Sequence, residues 1–384
     1  MSQDPLRIVL VGDYPADATL GSPKVLYKLR DALVELGHDA VLLTRDHLGA
    51  TPRQRHLRDA VSPWLAARAL ARHVAGARPR DVIDASSAEG LLMRRRFPEA
   101  AVVARSHGLE HLNFARMLDD ARAGLSRRGW HRRVWYPAVR MRLVALAAAR
   151  ADQMIVPNAR DREFAIARGW QPEQDVHVVP HGLAPVFLNG APEGPRGHGV
   201  LFCGSWDAVK GTEYLVRGFT KAARERSDLR LTVLGPGYPA AAVLSCFDAR
   251  IRDRVRVLER MPEEMVAREY ARHDVLVACS TFEGFGMVVP EAMSQMLPVI
   301  ATPVGVAGTL VQDGRTGVLV PPRDADAIAR AILALAADPA RARSLAAAAR
   351  PQVARMTWAE TARATIDVYR SAIERAAARR AHGR

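Results

Sequence analysis

Cysteine and lysine are scarce in this chain of 384 residues, and long apolar runs are missing. The three cysteines, Cys203, Cys246 and Cys279, form no C-x-x-C pair and have no neighbouring histidine cluster. This spacing argues against a disulfide framework and against a zinc site. No stretch approaches the ~18 apolar residues of a membrane span, and the N-terminus carries no basic leader. A folded protein of a reducing cytoplasm is therefore expected, without a metal site.

The formal net charge of +14 comes almost entirely from arginine, because Lys24, Lys28, Lys210 and Lys221 are the only lysines among 55 basic residues. A strongly basic protein attracts anionic partners non-specifically. The abundant alanine and arginine also fit a compositional bias, so whether the charge serves a specific partner stays open. Nucleic acid is not expected as a partner.

The first part of the chain alternates short apolar runs with helical segments. Residues 7–44 are typical of a strand, an amphipathic helix that ends at Gly37, and a second strand. Further strand-like runs lie at 81–86, 101–108 and 152–158. This alternation predicts a parallel sheet covered by helices, in a first Rossmann-like domain over residues 1–180.

A passage rich in proline and glycine, residues 181–199, interrupts the pattern and is typical of an interdomain linker. A second series of strand and helix segments follows and predicts another α/β domain over residues 200–356. The tail, 357–384, is expected to form a helix without a new strand.

The segment STFEGFGMVVPEAM, 280–293, places Glu283 and Glu291 on either side of seven residues. It predicts a strand end, a glycine turn and a helix start with Pro290 at an early helical position. Glycines allow close approach of a ligand, and the free N–H groups of a first helical turn suit a phosphate. In the alternative, structural interpretation, the glycines only turn the chain and Glu291 only complements the helix dipole.

This segment resembles the E-x7-E signature of the retaining glycosyltransferases of family 4, also called group 1, which have the GT-B architecture. In that family the first glutamate and the following amides hold the transferred sugar, and the second glutamate holds the ribose. FCGSWDAVKG, 202–211, resembles the family's phosphate-binding loop, with Lys210 at the lysine position and Ser205 where an arginine usually stands. The donor-binding residues that this resemblance implies are Gly204, Ser205, Lys210, Glu283, Gly284, Phe285, Gly286, Met287, Val288 and Glu291.

In the first domain, RSHGLEH at 105–111 resembles the loop whose histidine reaches the donor sugar, which makes His107 the candidate. Together with Glu283 and Lys210 it completes the implied catalytic set. A purely structural histidine is the alternative. Gly21 and Ser22 fall at the acceptor loop, where the family usually has two adjacent glycines.

Further segments resemble the family in the same order along the chain: VVPHGL at 178–183, LPVIATPVG with VQDGRTGVLVPPRD, and a terminal helix with Trp358 and Tyr369. The resemblance implies an α/β protein with two facing Rossmann-like domains, the GT-B fold, and a C-terminal helix that crosses back to the first domain. It also implies a retaining transfer from a UDP- or GDP-sugar, which is a substrate, so no cofactor is expected.

The region from Arg94 to Arg150 contains 13 arginines and four acidic residues, a surplus of 13 − 4 = 9. Trp130, Trp135 and Tyr136 lie among Arg127, Arg128, Arg132 and Arg133. Such a mixture suits contact with an anionic membrane surface through residues 122–150, and then a lipid-linked acceptor of cell-envelope glycan synthesis. A solvated arginine face over a packed helix is the alternative.

Two other functions stay open at this point. A non-catalytic protein that binds sugar nucleotides or polyanions would explain the charge, and an epimerase or phosphorylase can share the fold. Asp324 and Asp326 spell the D-x-D that binds metal in glycosyltransferases of the other architecture, but they follow two prolines and begin a helical segment. We expect them to cap that helix, and we expect a transfer without a metal ion.

Overall fold

The computed structural model describes residues 4–17, 21–49, 52, 54–75, 79–122, 124, 131–189, 196–197 and 199–382. The chain divides into two compact units, Met1–His181 with Trp358–Arg384, and Gly182–Thr357. The segment 181–199, expected to be a linker, contributes the short helix Pro185–Leu188 to the second unit.

Within the described residues each unit contains one six-stranded sheet, and all strand pairs are parallel. The strands are β1 Arg7–Val11, β2 Asp39–Leu43, β3 Val82–Ser86, β4 Ala101–Arg105, β5 Gln153–Val156, β6 Val176–Val178, β7 Val200–Cys203, β8 Leu231–Leu234, β9 Val255–Leu258, β10 Val275–Ala278, β11 Val299–Ala301 and β12 Val318–Leu319. The first sheet has the order β2-β1-β3-β4-β5-β6, and the second has the order β12-β11-β10-β7-β8-β9.

The helices connect the strands in the manner of doubly wound folds. They are α1 Gly21–Glu35, α2 Arg55–His73, α3 Met93–Arg96, α4 Glu110–Arg122, α5 Arg142–Arg150, α6 Ala159–Ala167, α7 Pro185–Leu188, α8 Thr212–Glu225, α9 Ala240–Leu244, α10 Glu263–Arg272, α11 Val288–Ser294, α12 Ala307–Leu310, α13 Ala325–Ala337, α14 Pro339–Val353 and α15 Trp358–His382. A π-helix, His131–Met141, precedes α5.

Local signals in the sequence explain several helix ends. At the end of α1, Gly37 has φ 88°, and the N–H groups of Gly37 and His38 donate to the carbonyls of Val34 and Leu33 at 2.9 and 3.1 Å. This is the Schellman arrangement, which a glycine adopts without steric cost. At the start of α6, the Asn158 side chain accepts from the N–H of Asp161 at 2.9 Å, which satisfies one free donor of the first turn.

The first unit has a core on each face of its sheet, because strands of a parallel sheet are buried on both sides. One face packs β-strand residues against α2 and α5. On the other face, Ile366, Tyr369 and Ala372 of the terminal helix α15 pack with Ile8 and Leu29. The expected return of the C-terminal helix to the first domain is therefore confirmed.

The second unit has the same two-faced arrangement. One core joins β-strands to α8 and α13, with Phe219 and Ile332 fully buried. The other core joins them to α10, α11 and α14 around Tyr270 and Met293. Two parallel six-stranded sheets covered by helices confirm the expected class of two Rossmann-like domains.

Strand β6 was not predicted from the sequence. Its three residues form the edge of the first sheet and pair with β5. The basic region of the sequence is described only in part. Arg127, Arg128 and Trp130, and the side chains of Arg132 and Arg133, lie outside the described residues. No described helix combines the length and the apolar composition needed to cross a membrane.

Candidate active site

In the second sheet the strand order reverses between β7 and β10, which lie side by side. β7 ends at Cys203 and β10 ends at Ala278, so the loops that follow them leave the same edge. Doubly wound sheets bind ligands at the carboxyl ends of the strands, at the point where the order reverses. Both segments selected from the sequence, 202–211 and 280–293, begin at this edge.

Lys210 and Glu283 meet there as an ion pair. The Lys210 Nζ lies 2.6 Å from Glu283 Oε1, and the two side chains are 27% and 15% exposed. Ser280 Oγ donates to the same carboxylate oxygen at 2.7 Å. Among the described residues, the other oxygen, Oε2, has no hydrogen-bond partner. The site therefore presents an ammonium group and a carboxylate oxygen to solvent next to each other.

Close backbone packing brings the two loops together. Thr281 donates its N–H and its hydroxyl to the carbonyl of Val209 at 2.8 and 3.2 Å. Gly211 has φ 72°, and a Cβ atom at this position would lie 2.0 Å from the carbonyl oxygen of Cys279. Only glycine fits between the loops here. This contact fixes the backbone that carries Lys210 beside the backbone that carries Glu283.

A third loop supports the residues after Glu283. The N–H of Val306 donates to the Phe285 carbonyl at 2.7 Å, and Gly305 has φ 56°. A Cβ atom on Gly305 would lie 2.4 Å from the Phe285 oxygen and 2.8 Å from the Glu283 Cβ. Gly286 has φ 89° and turns the chain toward α11. Gly305 and Val306 thus pack against and support the turn over residues 283–287, which includes Gly284 and the cap residue Met287.

Glu291 lies in the first turn of α11, which begins at Val288, and is 7% exposed. Its Oε2 accepts a hydrogen bond from Tyr270 Oη at 3.1 Å. Burial, together with Cys203 and Glu291, raises the pKa of Tyr270 well above its usual value, so this hydroxyl stays protonated and acts as a donor. Tyr270 orients the second glutamate, although nothing in the sequence marked it.

The loop after β7 positions the remaining donor-side candidates. Gly204 has φ 141°, and its N–H donates to the Leu234 carbonyl at 3.0 Å. Ser205 follows it, and its carbonyl accepts from the N–H of Asp207 at 2.9 Å. Lys210 then closes a short 3₁₀ turn before α8. These residues form the loop that connects the end of β7 to Lys210.

His107 lies in the first unit, in the loop that follows β4. Its Nε2 is 3.2 Å from Ser86 Oγ at the end of β3, and the ring of Tyr14 stands edge-on to the imidazole with 5.6 Å between centroids. The pKa of His107 is well below its usual value, first because of burial and then because of His181 and Arg105. The imidazole is neutral at physiological pH, so it can serve as a hydrogen-bonding group.

The first unit also holds a fully buried ion pair, between Asp84 of β3 and Arg105 at the end of β4. Arg105 Nη2 lies 2.7 Å from Asp84 Oδ2, with side chains 1% and 0% exposed. Tyr369 of α15 donates its hydroxyl to the same oxygen at 2.6 Å. Burial lowers the pKa of Arg105, but the attraction of Asp84 outweighs it and raises that pKa. Through Tyr369, the terminal helix α15 is therefore attached to the pair on β3 and β4.

Gly21 is the first residue of α1. The side chain of Ser22 lies outside the described residues. Asp324, in contrast, is fully described, and its side chain accepts from the N–H of Ala327 at 2.8 Å at the start of α13. Asp326 pairs with Lys221. Among the described residues no group of three metal-binding side chains is found.

Residues 197–338 match the model of the family described as glycosyl transferases group 1. The chain is similar to a D-inositol 3-phosphate glycosyltransferase of Xylanimonas cellulosilytica, with 32% identity over 250 residues. This match covers 60% of the chain and 59% of that relative, so the chain spans about three fifths of the relative's length.

Two solved structures resemble the whole chain. A sucrose-phosphate synthase from Thermosynechococcus elongatus is 23% identical, with a TM-score of 0.75 over 95% of this chain and 98% of the other. The HepE protein of Anabaena in complex with UDP-glucose is 14% identical, with a TM-score of 0.69 over 95% and 100%. These likenesses establish the GT-B fold. Both Lys210 and Glu283 lie inside the segment 197–338 that matches the model of the group 1 glycosyltransferases.

Proposed function

We propose that this protein transfers a sugar from a nucleotide-diphosphate sugar to a hydroxyl group of an acceptor, with retention of the anomeric configuration. The observation that carries the proposal is the Lys210–Glu283 pair at the carboxyl edge of the second sheet. The name of the Xylanimonas relative supports a glycosyltransferase. The structurally similar HepE protein, solved in complex with UDP-glucose, supports a UDP-sugar as donor. GDP-sugars are the second choice.

In this reaction the bond between the anomeric carbon and the phosphate oxygen breaks, and negative charge grows on the diphosphate. Fixed donors must meet that charge. An ammonium group has three donors, and one of those on Lys210 points to Glu283. The others suit the phosphate oxygens. Gly204 and Ser205 lie on the same loop and would contribute their backbone to the donor site.

Glu283 Oε2 is suited to accept a hydrogen bond from a hydroxyl of the transferred sugar, since Oε1 is already held by Lys210 and Ser280. The amides of the turn 284–288 would hold the same sugar, and Glu291 would accept from the ribose. His107 would contact the sugar as a neutral imidazole. We propose a front-face displacement, in which the leaving phosphate accepts the proton of the attacking hydroxyl, without a divalent metal.

The acceptor we propose is a glycan or lipid-linked hydroxyl, and inositol 3-phosphate is the first small acceptor to test because the Xylanimonas relative is named for it. A cytoplasmic enzyme that works at the inner face of the membrane fits the arginine surplus between Arg94 and Arg150. Val134 and Leu146 in this region are 60% and 43% exposed, whereas Arg105, Tyr136 and Arg140 are buried and are not part of this surface. Salt-sensitive sedimentation with anionic vesicles, but not with neutral ones, would support this placement.

The test is turnover of a panel of UDP- and GDP-sugars with and without acceptors. Release of nucleotide together with a glycosylated product, whose anomeric configuration matches the donor by NMR, supports the proposal. Binding of a sugar nucleotide without turnover under any condition would favour a non-catalytic binding protein. Conversion of the donor to another sugar nucleotide would favour an epimerase, and phosphate-dependent cleavage of a glycan would favour a phosphorylase.

A further inference from the structure

A small cavity lies at the carboxyl edge of the first sheet, beside His107. It has a volume of about 110 Å³. Four of the polar residues that line it follow three different strands: Tyr14 after β1, Ser87 after β3, and His107 and Glu110 after β4. The order of the first sheet reverses between β1 and β3, so this cavity occupies the ligand-binding position of a doubly wound fold. The buried Nδ1 of His107 has no hydrogen-bond partner.

Ser87, one wall of this cavity, has a strained backbone. Its φ is 56°, in the left-handed region that side chains other than glycine rarely adopt. Strain of this kind persists only where the surroundings hold the residue, and it concentrates at functional sites. Something must therefore fix Ser87 in place.

Arg140 is the residue that fixes it. This arginine is 9% exposed and lies near the end of the π-helix His131–Met141. Its guanidinium donates to Ser87 Oγ at 3.0 Å and to Glu110 Oε1 at 3.1 Å. Ser87 in turn donates to Glu110. The two opposing polar walls of the cavity are thus tied to one another through a single guanidinium.

The other side of the same guanidinium is anchored away from the cavity. It donates to Ser62 Oγ of α2 at 3.0 Å and to Glu89 Oε1 at 3.2 Å. Burial raises the pKa of Glu89. The pKa of Glu110 is lowered, since Arg140, Ser87 and Tyr136 together outweigh its burial. Glu110 is therefore the charged partner that Arg140 holds at the cavity wall.

We propose that Arg140 is a positioning residue, which sets Ser87 and Glu110 around His107 in the geometry that sugar transfer requires. The proposal rests on the function proposed above and adds a residue that acts through others. A planar guanidinium can bond two carboxylates and two hydroxyls at once, which a lysine ammonium does not match. Charge alone is thus insufficient, and the fork geometry is required.

The test uses Arg140→Lys and Arg140→Met, with Arg379→Met as the matched control. Arg379 also donates to a buried carboxylate, Asp152, at 3.1 Å, but at the amino end of β5, on the opposite edge of the sheet. We expect kcat to fall about 100-fold in both Arg140 variants, as small misplacements do. The KM for the donor should change little, and Arg379→Met should keep the wild-type kcat despite its lower melting temperature.

Amide hydrogen exchange supplies a readout that does not need activity. In Arg140→Lys, exchange should become faster in segments 86–90 and 106–111, whereas Arg379→Met should leave both segments protected. Tyr136→Phe, which removes one donor to Glu110, replaces Arg140→Met if that variant does not fold. Unchanged exchange, or a kcat equal to that of the control, overturns the inference. A wild-type protein that turns over no donor refutes the proposed function instead, and the exchange data still decide whether Arg140 fixes the cavity.

Discussion

The two units each carry an ion pair near the carboxyl edge of a parallel sheet, and the two pairs differ in burial. In the second unit, Lys210 and Glu283 keep 27% and 15% of their side-chain surface. In the first unit, Arg105 and Asp84 keep 1% and 0%. The buried pair also receives the Tyr369 hydroxyl at 2.6 Å. Both pairs join residues that are distant in the sequence.

Burial decides what each pair contributes. The half-buried pair, which water still reaches, contributes less to the free energy of folding than a fully buried pair, because solvent screens its charges in part. Its groups stay accessible to a ligand. A buried pair has lost that water, so removal of one partner leaves the other charge unsatisfied in a medium of low dielectric constant. We therefore expect the pair in the first unit to govern stability and the pair in the second unit to govern chemistry.

The largest effect should follow from breaking the buried pair. We expect Arg105→Met to lower the free energy of unfolding by about 3–5 kcal/mol, because Asp84 then stays charged and buried without its partner. Urea denaturation followed by circular dichroism measures this loss. The double variant Arg105→Met with Asp84→Leu should recover part of it, since no unpaired charge remains. A single variant as stable as the wild type would contradict this account of the pair.

Breaking the half-buried pair Lys210–Glu283 should instead lower turnover strongly and leave the fold intact. For Glu283→Ala and for Lys210→Ala we expect kcat to fall about 100- to 1000-fold, the usual loss for one preorganised electrostatic contact. The free energy of unfolding should change by less than about 1 kcal/mol. Steady-state kinetics and thermal melts measure both quantities.

Lys221→Ala is the control for these variants, because Lys221 pairs with Asp326 on the surface of the same unit. It should keep full turnover. Near-normal kcat in both Glu283→Ala and Lys210→Ala would remove the pair from the proposed active site.

Glu291 lies between the two cases, since it is 7% exposed but lies in the first turn of α11, next to the donor-side loop. We expect Glu291→Ala mainly to weaken nucleotide binding, because a ribose contact is similar in the ground state and in the transition state. Isothermal titration with UDP or GDP measures the affinity, and kinetics measure kcat. Tyr270→Phe removes only the hydroxyl that orients Glu291, so its loss of affinity should be smaller. A lower kcat with unchanged affinity in Glu291→Ala would assign this residue to the chemical step.

The sequence predicted well those features that a local pattern carries. The glycine turn at Gly286 and the cap at Asp324 follow from residue type and from position beside a strand or helix. The meeting of Lys210 with Glu283, although they are 73 residues apart, follows from one rule. The strands before them are parallel neighbours at the point where the sheet order reverses, and resemblance to the family marked both residues.

Contacts that depend on how elements far apart in the sequence pack together could not be predicted in this way. Tyr369 and Asp84 are 285 residues apart, and the terminal helix shows no motif for the residue that it will reach. Arg140 is one of the 13 arginines from Arg94 to Arg150. Its neighbours in the sequence do not distinguish it from the arginines that face solvent. The short edge strand β6 has three residues, fewer than a periodic pattern needs.

The smallest effect is expected at the acidic pair that begins α13. Asp324 caps this helix through the N–H of Ala327 at 2.8 Å, and Asp326 pairs with Lys221 on the surface. We expect Asp324→Ala with Asp326→Ala to lower the free energy of unfolding by roughly 1 kcal/mol, mostly from the lost cap. Turnover should change only modestly, because these carboxylates hold a helix end.

Excess EDTA distinguishes this structural role from a metal site. Under the proposed mechanism Lys210 meets the charge on the leaving diphosphate, so EDTA should leave the rate of transfer unchanged. If EDTA abolishes transfer, manganese or magnesium restores it, and the double variant loses that rescue, the aspartates bind a catalytic metal ion. The contrast between the two ion pairs would then be incomplete, because a third charged site would take over the role proposed here for Lys210.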